Sequence, residues 1–210
     1  MKKCLFALCL FALCFSLRAP AASAEEGRTL YVATLTQSGA SQFNRKINER
    51  LDWIVSFSSK LGWGYKRPTL PEIWLVSRAY MLRHAEEICQ TPSKEESREC
   101  VKNKFAWTDD ERAIYILRQE DVATHPALRE ITAFPAELWI EMVTTHELAH
   151  LAQLEASSYR INNLPCLKFV EWERQANMIA RQWLHSLQSV EAERLNVLFR
   201  ESSYHGVCTS

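Results

Sequence analysis

The stretch TTHELAHLAQ (144–153) places His146, Glu147 and His150 in the spacing H-E-x-x-H. On an α-helix, residues i and i+4 lie on one face, so both histidine side chains can reach a single metal ion. Zinc binds histidine nitrogens at a distance of about 2.0–2.1 Å. Two histidines in the H-E-x-x-H spacing are typical of zinc sites. Glu147 is turned about 100° away, so it stays outside the ligand set but can take a proton from a metal-bound water. The stretch therefore predicts a zinc-binding helix that carries its own general base.

A catalytic zinc ion usually has a third protein ligand and one open position. The metzincin pattern supplies that ligand by continuing as H-E-x-x-H-x-x-G-x-x-H, but the corresponding positions here are Gln153 and Ala156, which excludes it. A glutamate from a later helix is the other source, and FVEWERQANMIARQWL (169–184) offers Glu171 and Glu173.

Helical periodicity separates these two glutamates. Glu173 falls within the apolar stripe of the helix, whereas Glu171 is rotated about 200° away, among polar neighbours. The stripe consists of Phe169, Trp172, Ala176, Ala180, Trp183, Leu184 and Leu187. A carboxylate among apolar side chains is costly unless a cation or strong donors meet it. Zinc would satisfy Glu173, and an ion pair with Arg160 or Arg174 is the alternative.

The two motifs together resemble those of the gluzincin type of zinc metallopeptidase. Glu173 follows His150 by 23 residues and begins the run Glu-Arg-Gln-Ala-Asn (173–177). This E-x-x-A-N form is similar to that of the intracellular repressor-cleaving and stress-response metallopeptidases. The resemblance covers the two motif helices and the strand–helix–strand–strand run before them. It implies that His146, His150 and Glu173 bind Zn²⁺ and that Glu147 is the general base.

The resemblance also gives a role to Asn177, one turn after Glu173. In many gluzincins an aspartate at this position orients a ligand histidine through its second ring nitrogen. An asparagine can accept the same hydrogen bond but carries no charge, so it should raise the basicity of the histidine less. Alternatively, Asn177 is a polar residue of helix packing without this role.

A peptidase further needs a surface for its substrate and a donor for the oxyanion. The resemblance implies that an extended peptide adds to the sheet edge beside the motif helix. AIYIL (113–117) is the candidate for that edge strand, and a plain core strand is the equal alternative. The oxyanion donor stays open among four residues, namely Tyr204, His205, Tyr159 and Arg160.

The order of predicted elements is that of an α+β fold, with a small mixed sheet packed against the H-E-x-x-H helix and a mainly helical C-terminal half. The resemblance makes this fold zincin-like. Strands are predicted at 29–36, 72–76, 105–108 and 113–117. Helices are predicted at 41–61, from Ser77 towards Cys89, from Pro135 through the motif, at 167–187 and at 190–199.

The first 24 residues have the form of a secretory signal peptide. MKK precedes the apolar run CLFALCLFALCFSL (4–17), and Ala22-Ser23-Ala24 matches the A-x-A cleavage pattern. The apolar run is short for a membrane span, so we expect cleavage after Ala24 and export to the periplasm or the outside. Residues 25–210 then form a single zincin-like domain without a stable membrane span. An uncleaved N-terminal anchor is the alternative.

Charge and cysteine content agree with export. Without Lys2, Lys3 and Arg18, 22 basic residues face 25 acidic ones and no basic cluster stands out, which argues against nucleic acid or an anionic membrane as partner. The mature chain keeps four of the seven cysteines, an even number that suits an oxidising compartment. Three pairings are possible, of which we favour Cys89–Cys100 and Cys166–Cys208.

These observations favour an exported zinc-dependent peptide hydrolase that acts on a peptide or protein substrate. A non-catalytic zinc-binding or protein-interaction module on a zincin scaffold is the second hypothesis, and a metal-free helical protein is the third. The sequence does not predict the cleavage specificity or the oligomeric state.

Overall fold

The computed structural model of the protein describes residues 28–89, 93–102, 104–109, 111–122, 134–160 and 164–201. The predicted signal peptide, residues 1–24, lies outside these ranges. So do Tyr204 and His205, two of the proposed oxyanion donors, and Cys208, half of a predicted disulfide.

The fold is mixed α+β, with a small four-stranded sheet and mostly helical content. Its strands are β1 (Arg28–Leu30), β2 (Ile73–Val76), β3 (Ala106–Thr108) and β4 (Ile114–Leu117). A 3₁₀ turn (Tyr31–Thr34) follows β1. The helices are α1 (Gln37–Lys60), α2 (Arg78–Arg83), α3 (Ala85–Cys89), α4 (Lys94–Lys102), α5 (Gln119–Val122), α6 (Ala136–Ala156), α7 (Cys166–Ser186) and α8 (Val190–Glu201).

The sheet has the strand order β1-β2-β4-β3. Strands β2 and β4 pair in parallel, while β1 and β3 pair antiparallel to them on the two outer sides. The prediction that AIYIL forms the sheet edge is therefore wrong, because β4 lies between β2 and β3. Its Ile114, Ile116 and Leu117 are fully buried, as is typical of a strand covered on both faces. The edge nearest the motif helix is β3 instead.

Helix α6, which carries the motif, is the centre of the core. It packs against α1, α7, β3 and β4, and Trp139, Met142, Leu148 and Leu151 are buried on its different sides. A helix that is apolar all round has to be buried. His146 and Glu147 are therefore taken into the interior with it and need partners there.

The local signals in the sequence placed most helix starts well. Ser77 caps α2, because its side chain accepts a hydrogen bond from the backbone N–H of Tyr80. Pro135 directly precedes α6, and Pro165 directly precedes α7. The predicted strand at 29–36 shortens to β1 and the 3₁₀ turn, and the helix from Ser77 towards Cys89 is interrupted at His84.

The predicted Cys89–Cys100 disulfide is present and joins the end of α3 to α4, with its two Cα atoms 6.2 Å apart. The other predicted bridge, Cys166–Cys208, involves a residue outside the described ranges. Among the described residues, no helix combines the length and the apolar composition that crossing a membrane requires.

Candidate metal centre

Three side chains from α6 and α7 converge on one point. His146 and His150 lie one turn apart on α6, and their Nε2 atoms are 3.0 Å apart. Glu173 of α7 faces both, with Oε2 at 3.3 Å from Nε2 of His146 and Oε1 at 3.4 Å from Nε2 of His150. All three offer a ligand atom within 4.8 Å of the others. These side chains form a group that could hold a metal ion.

The three side chains are largely shielded from solvent, so water screens their charges only weakly. His146 and Glu173 are each 8% exposed, and His150 is half-buried. Glu173 sits on the inward face of α7, beside Trp172 and Ala176, as its position within the apolar stripe predicted. Its ion-pair partners are the two histidines. A carboxylate in such a place needs positive charge close by.

Without a metal, a proton supplies that positive charge. Burial lowers the pKa of His150, but the charge and hydrogen bond of Glu173 outweigh it, followed by Glu147 and Gln153, and the pKa rises to about 9. Burial alone would raise the pKa of Glu173, yet the two histidines hold it well below its ordinary value. Without a metal, the centre is thus an imidazolium beside a carboxylate. The raised pKa of His150 shows that the surroundings of Glu173 favour a positive charge.

Glu147 lies next to the three converging residues but outside their cluster. Its side chain is buried, and its Oε2 accepts a hydrogen bond of 2.8 Å from Oγ1 of Thr108. Thr108 is the last residue of β3. The carboxylate is therefore fixed between the histidines of its own helix and the edge strand of the sheet.

Gln153, which stands where the metzincin pattern has its glycine, contacts the centre directly. Its Oε1 is 2.8 Å from Nδ1 of His150. Its Nε2 donates to the Tyr65 hydroxyl at 2.6 Å, to the Trp172 carbonyl at 3.1 Å and to Oε1 of Gln175 at 3.2 Å. The spacing of Gln153, three residues after His150, is the one signal in the sequence that could have indicated this contact.

Two of the other predicted residues, Tyr159 and Glu171, contact partners outside this cluster. Asn177 is half-buried on α7, and the second nitrogen of His150 is bonded to Gln153 instead. Tyr159 is 40% exposed, and its ring meets that of Trp172 edge to face with centroids 6.4 Å apart. Glu171 pairs with Lys168 at the surface of α7. The structure thus brings together Glu173, rather than Glu171, and the two histidines.

No family model matches the chain, and no curated protein or solved structure is similar enough to count as a match. What the centre does therefore has to be inferred from its own residues and their geometry.

Proposed function

We propose that the protein is an exported zinc-dependent peptidase of the gluzincin type, with His146, His150 and Glu173 as zinc ligands. The observation that carries this proposal is the close approach of the ligand atoms, with the two histidine Nε2 atoms 3.0 Å apart and each of them 3.3 or 3.4 Å from a different oxygen of the Glu173 carboxylate. Ligands about 2.0–2.1 Å from a tetrahedral metal are separated by roughly 3.3–3.4 Å. Two histidines and one glutamate are also a donor set of catalytic zinc, which keeps a fourth position open.

The fold supports the same class. A small sheet with an antiparallel edge strand precedes the motif helix, and the following long helix brings in the glutamate. We therefore interpret the α+β architecture as zincin-like. The predicted signal peptide and the Cys89–Cys100 disulfide support export to the periplasm or the outside.

Bound zinc would act as a Lewis acid, which polarises a carbonyl and lowers the pKa of water from about 15.7 to about 7. In this chain Glu147 would accept the proton of the attacking water and return it to the leaving amine. The hydrogen bond from Thr108 aims one carboxylate oxygen of Glu147 at the sheet. The other oxygen is then available for the proton.

The edge strand β3 supplies the surface on which a peptide can lie. Its outer side is not paired with another strand of the described sheet, so an extended peptide can add to it through backbone hydrogen bonds. Because Thr108 of β3 contacts Glu147, a peptide on this edge would pass close to the general base. The substrate we propose is accordingly an extended segment of a peptide or protein.

Digestion of a peptide library by the wild type and by Glu147→Gln tests this function. The substitution keeps the size of the side chain but removes the proton acceptor, so we expect full zinc content and no hydrolysis. Glu137→Gln, an exposed position in the first turn of the same helix, is the matched control and should cleave like the wild type. Hydrolysis retained by Glu147→Gln would overturn the mechanism. Zinc binding without hydrolysis by any variant would favour the non-catalytic module.

A further inference from the structure

A row of uncharged polar side chains runs through the interior next to His150. Gln153, Gln175 and Tyr65 are 1%, 5% and 7% exposed. Burying an amide or a hydroxyl is costly unless it forms hydrogen bonds, and these three bond to one another. The Tyr65 hydroxyl donates to Oε1 of Gln175 at 2.6 Å and accepts from Nε2 of Gln153 at 2.6 Å. A fully bonded network of this kind holds each member in one orientation.

The orientation of the Gln153 amide is fixed by a group that can only accept. The backbone carbonyl of Trp172 lies 3.1 Å from the amide nitrogen of Gln153, and a carbonyl offers no hydrogen of its own. The nitrogen of Gln153 must therefore face α7, and its oxygen must face His150. Since this oxygen can only accept, the hydrogen between Gln153 and His150 has to come from the histidine ring.

The hydrogen bonds at the other end of the row, between Glu171, Gln175 and Tyr65, require the same direction of donation. The Glu171 carboxylate accepts from Nε2 of Gln175 at 3.1 Å, which leaves Oε1 of Gln175 to accept from Tyr65. The Tyr65 oxygen is then free to accept from Gln153. Burial raises the pKa of Tyr65, so the hydroxyl keeps the hydrogen that this arrangement needs. Every hydrogen bond from Glu171 back to Gln153 therefore has one possible direction.

We propose that Gln153 is a positioning residue that selects the tautomer of His150. Nδ1 of His150 carries the hydrogen and donates it to Oε1 of Gln153 at 2.8 Å. In the neutral ring, Nε2 then keeps its lone pair and faces Nε2 of His146 and Oε1 of Glu173, at 3.0 and 3.4 Å. This assignment rests on the proposed zinc site. It gives Gln153 the role that the resemblance would give to Asn177.

The position of Gln153 suits this role. It lies three residues after His150 on the same helix, so the two side chains share a face and their spacing does not depend on how the helices pack. An amide raises the basicity of the histidine less than a carboxylate would. Its effect should therefore be mainly on the orientation and tautomer of the ring.

Zinc dissociation constants of matched variants, measured by chelator competition, test the proposal. Gln153→Leu removes the acceptor at nearly constant size and should weaken zinc binding about 10–100-fold, the usual effect of losing such a partner. Gln153→Glu keeps an acceptor for His150 but cannot donate to Tyr65 or Trp172. It should retain the zinc affinity and lose thermal stability. Gln182→Leu, an exposed glutamine on α7, controls for the change in chemistry and should leave both quantities unchanged.

Two results of this comparison would overturn the proposal. One is a Gln153→Leu variant that binds zinc like the wild type. The other is an Asn177→Ala variant that shows the loss in affinity while Gln153→Leu does not. A loss of affinity in Gln153→Glu as large as that in Gln153→Leu would point to a merely structural role and would also count against it.

Nitrogen NMR of the histidine rings separates this proposal from the zinc site itself. In zinc-free protein at alkaline pH, where the ring is neutral, His150 should carry its hydrogen on Nδ1, and Gln153→Leu should lose this preference. A wild type with the Nδ1–H tautomer but no zinc binding would contradict the proposed function and leave the role of Gln153 standing. The Nε2–H tautomer in the wild type would contradict the role of Gln153 directly.

Discussion

Zinc binding should release the proton of His150 and weaken steeply as the pH falls below about 9. In the zinc-free protein, burial lowers the pKa of His150, but Glu173 above all outweighs it and raises the pKa to about 9. A protonated imidazole cannot coordinate a metal, so the proton has to leave when zinc binds. At pH 7 about one His150 ring in a hundred is neutral. The apparent zinc affinity at pH 7 should therefore be at least about a hundredfold below its value at alkaline pH.

Chelator competition at a series of pH values, corrected for the chelator's own protonation, measures this dependence. The logarithm of the dissociation constant should fall by about one for each pH unit below pH 7, and more steeply between pH 7 and about pH 9, where ionisation of the zinc-bound water adds to the loss of the His150 proton. Calorimetry at pH 6 in two buffers with different ionisation enthalpies should count about one released proton, because this pH lies below the pKa of about 7 that zinc gives its bound water. A dissociation constant that is the same at neutral and alkaline pH, or zinc binding without proton release, would refute the charge state derived for the centre.

The thermal stability of the zinc-free protein should depend on the protonation of the same ring, that of His150. The pKa of His150 rises on folding from 6.5 to about 9, so the ion pair with Glu173 contributes fully below pH 6.5 and is lost as the pH rises through about 9. The melting temperature of the zinc-free protein should fall across this window. With zinc bound the ring carries no exchangeable charge, so the fall should disappear. An equal fall with and without zinc would contradict the assignment.

Two substitutions away from the ligands test the supports of the centre. Thr108→Val removes the hydrogen bond to Glu147, worth about 1.5–3 kcal/mol for a charged acceptor. It should lower kcat roughly 10–100-fold at unchanged zinc content, and unchanged kcat would contradict the role of Thr108. Arg50 is 3% exposed and forms an ion pair with Glu141 at 2.6 Å. Glu141→Met would leave Arg50 as a buried cation without this partner. It should cost about 3–5 kcal/mol of unfolding free energy in denaturant, and adding Arg50→Met should restore part of it. A single variant as stable as the wild type would argue against this ion pair.

Local spacing in the sequence was enough to predict the parts of the site that lie on one helix. The i, i+4 spacing predicted that His146 and His150 share a face, and the apolar stripe of α7 predicted that Glu173 points inward while Glu171 does not. Both inferences depend on helical geometry alone. They hold wherever the helix forms, whatever it packs against.

Features that depend on distant segments were not predictable in this way. The place of β4 between β2 and β3 is set by strand pairing. The sequence pattern of a short apolar strand is much the same at the edge and in the middle of a sheet. The role of Gln153 depends on Tyr65, 88 residues earlier, and on Gln175, 22 residues later. Nothing in the local pattern around Gln153 indicates those partners.

The zinc content of the protein tests the central claim most directly. We expect about one zinc ion per chain in wild type purified without added metal and measured by elemental analysis. Glu173→Ala should lose it, and Glu171→Ala, two residues earlier on the same helix, should still copurify with zinc. A wild type without zinc, or a Glu173→Ala variant with a full complement, would contradict the metal centre proposed for this fold.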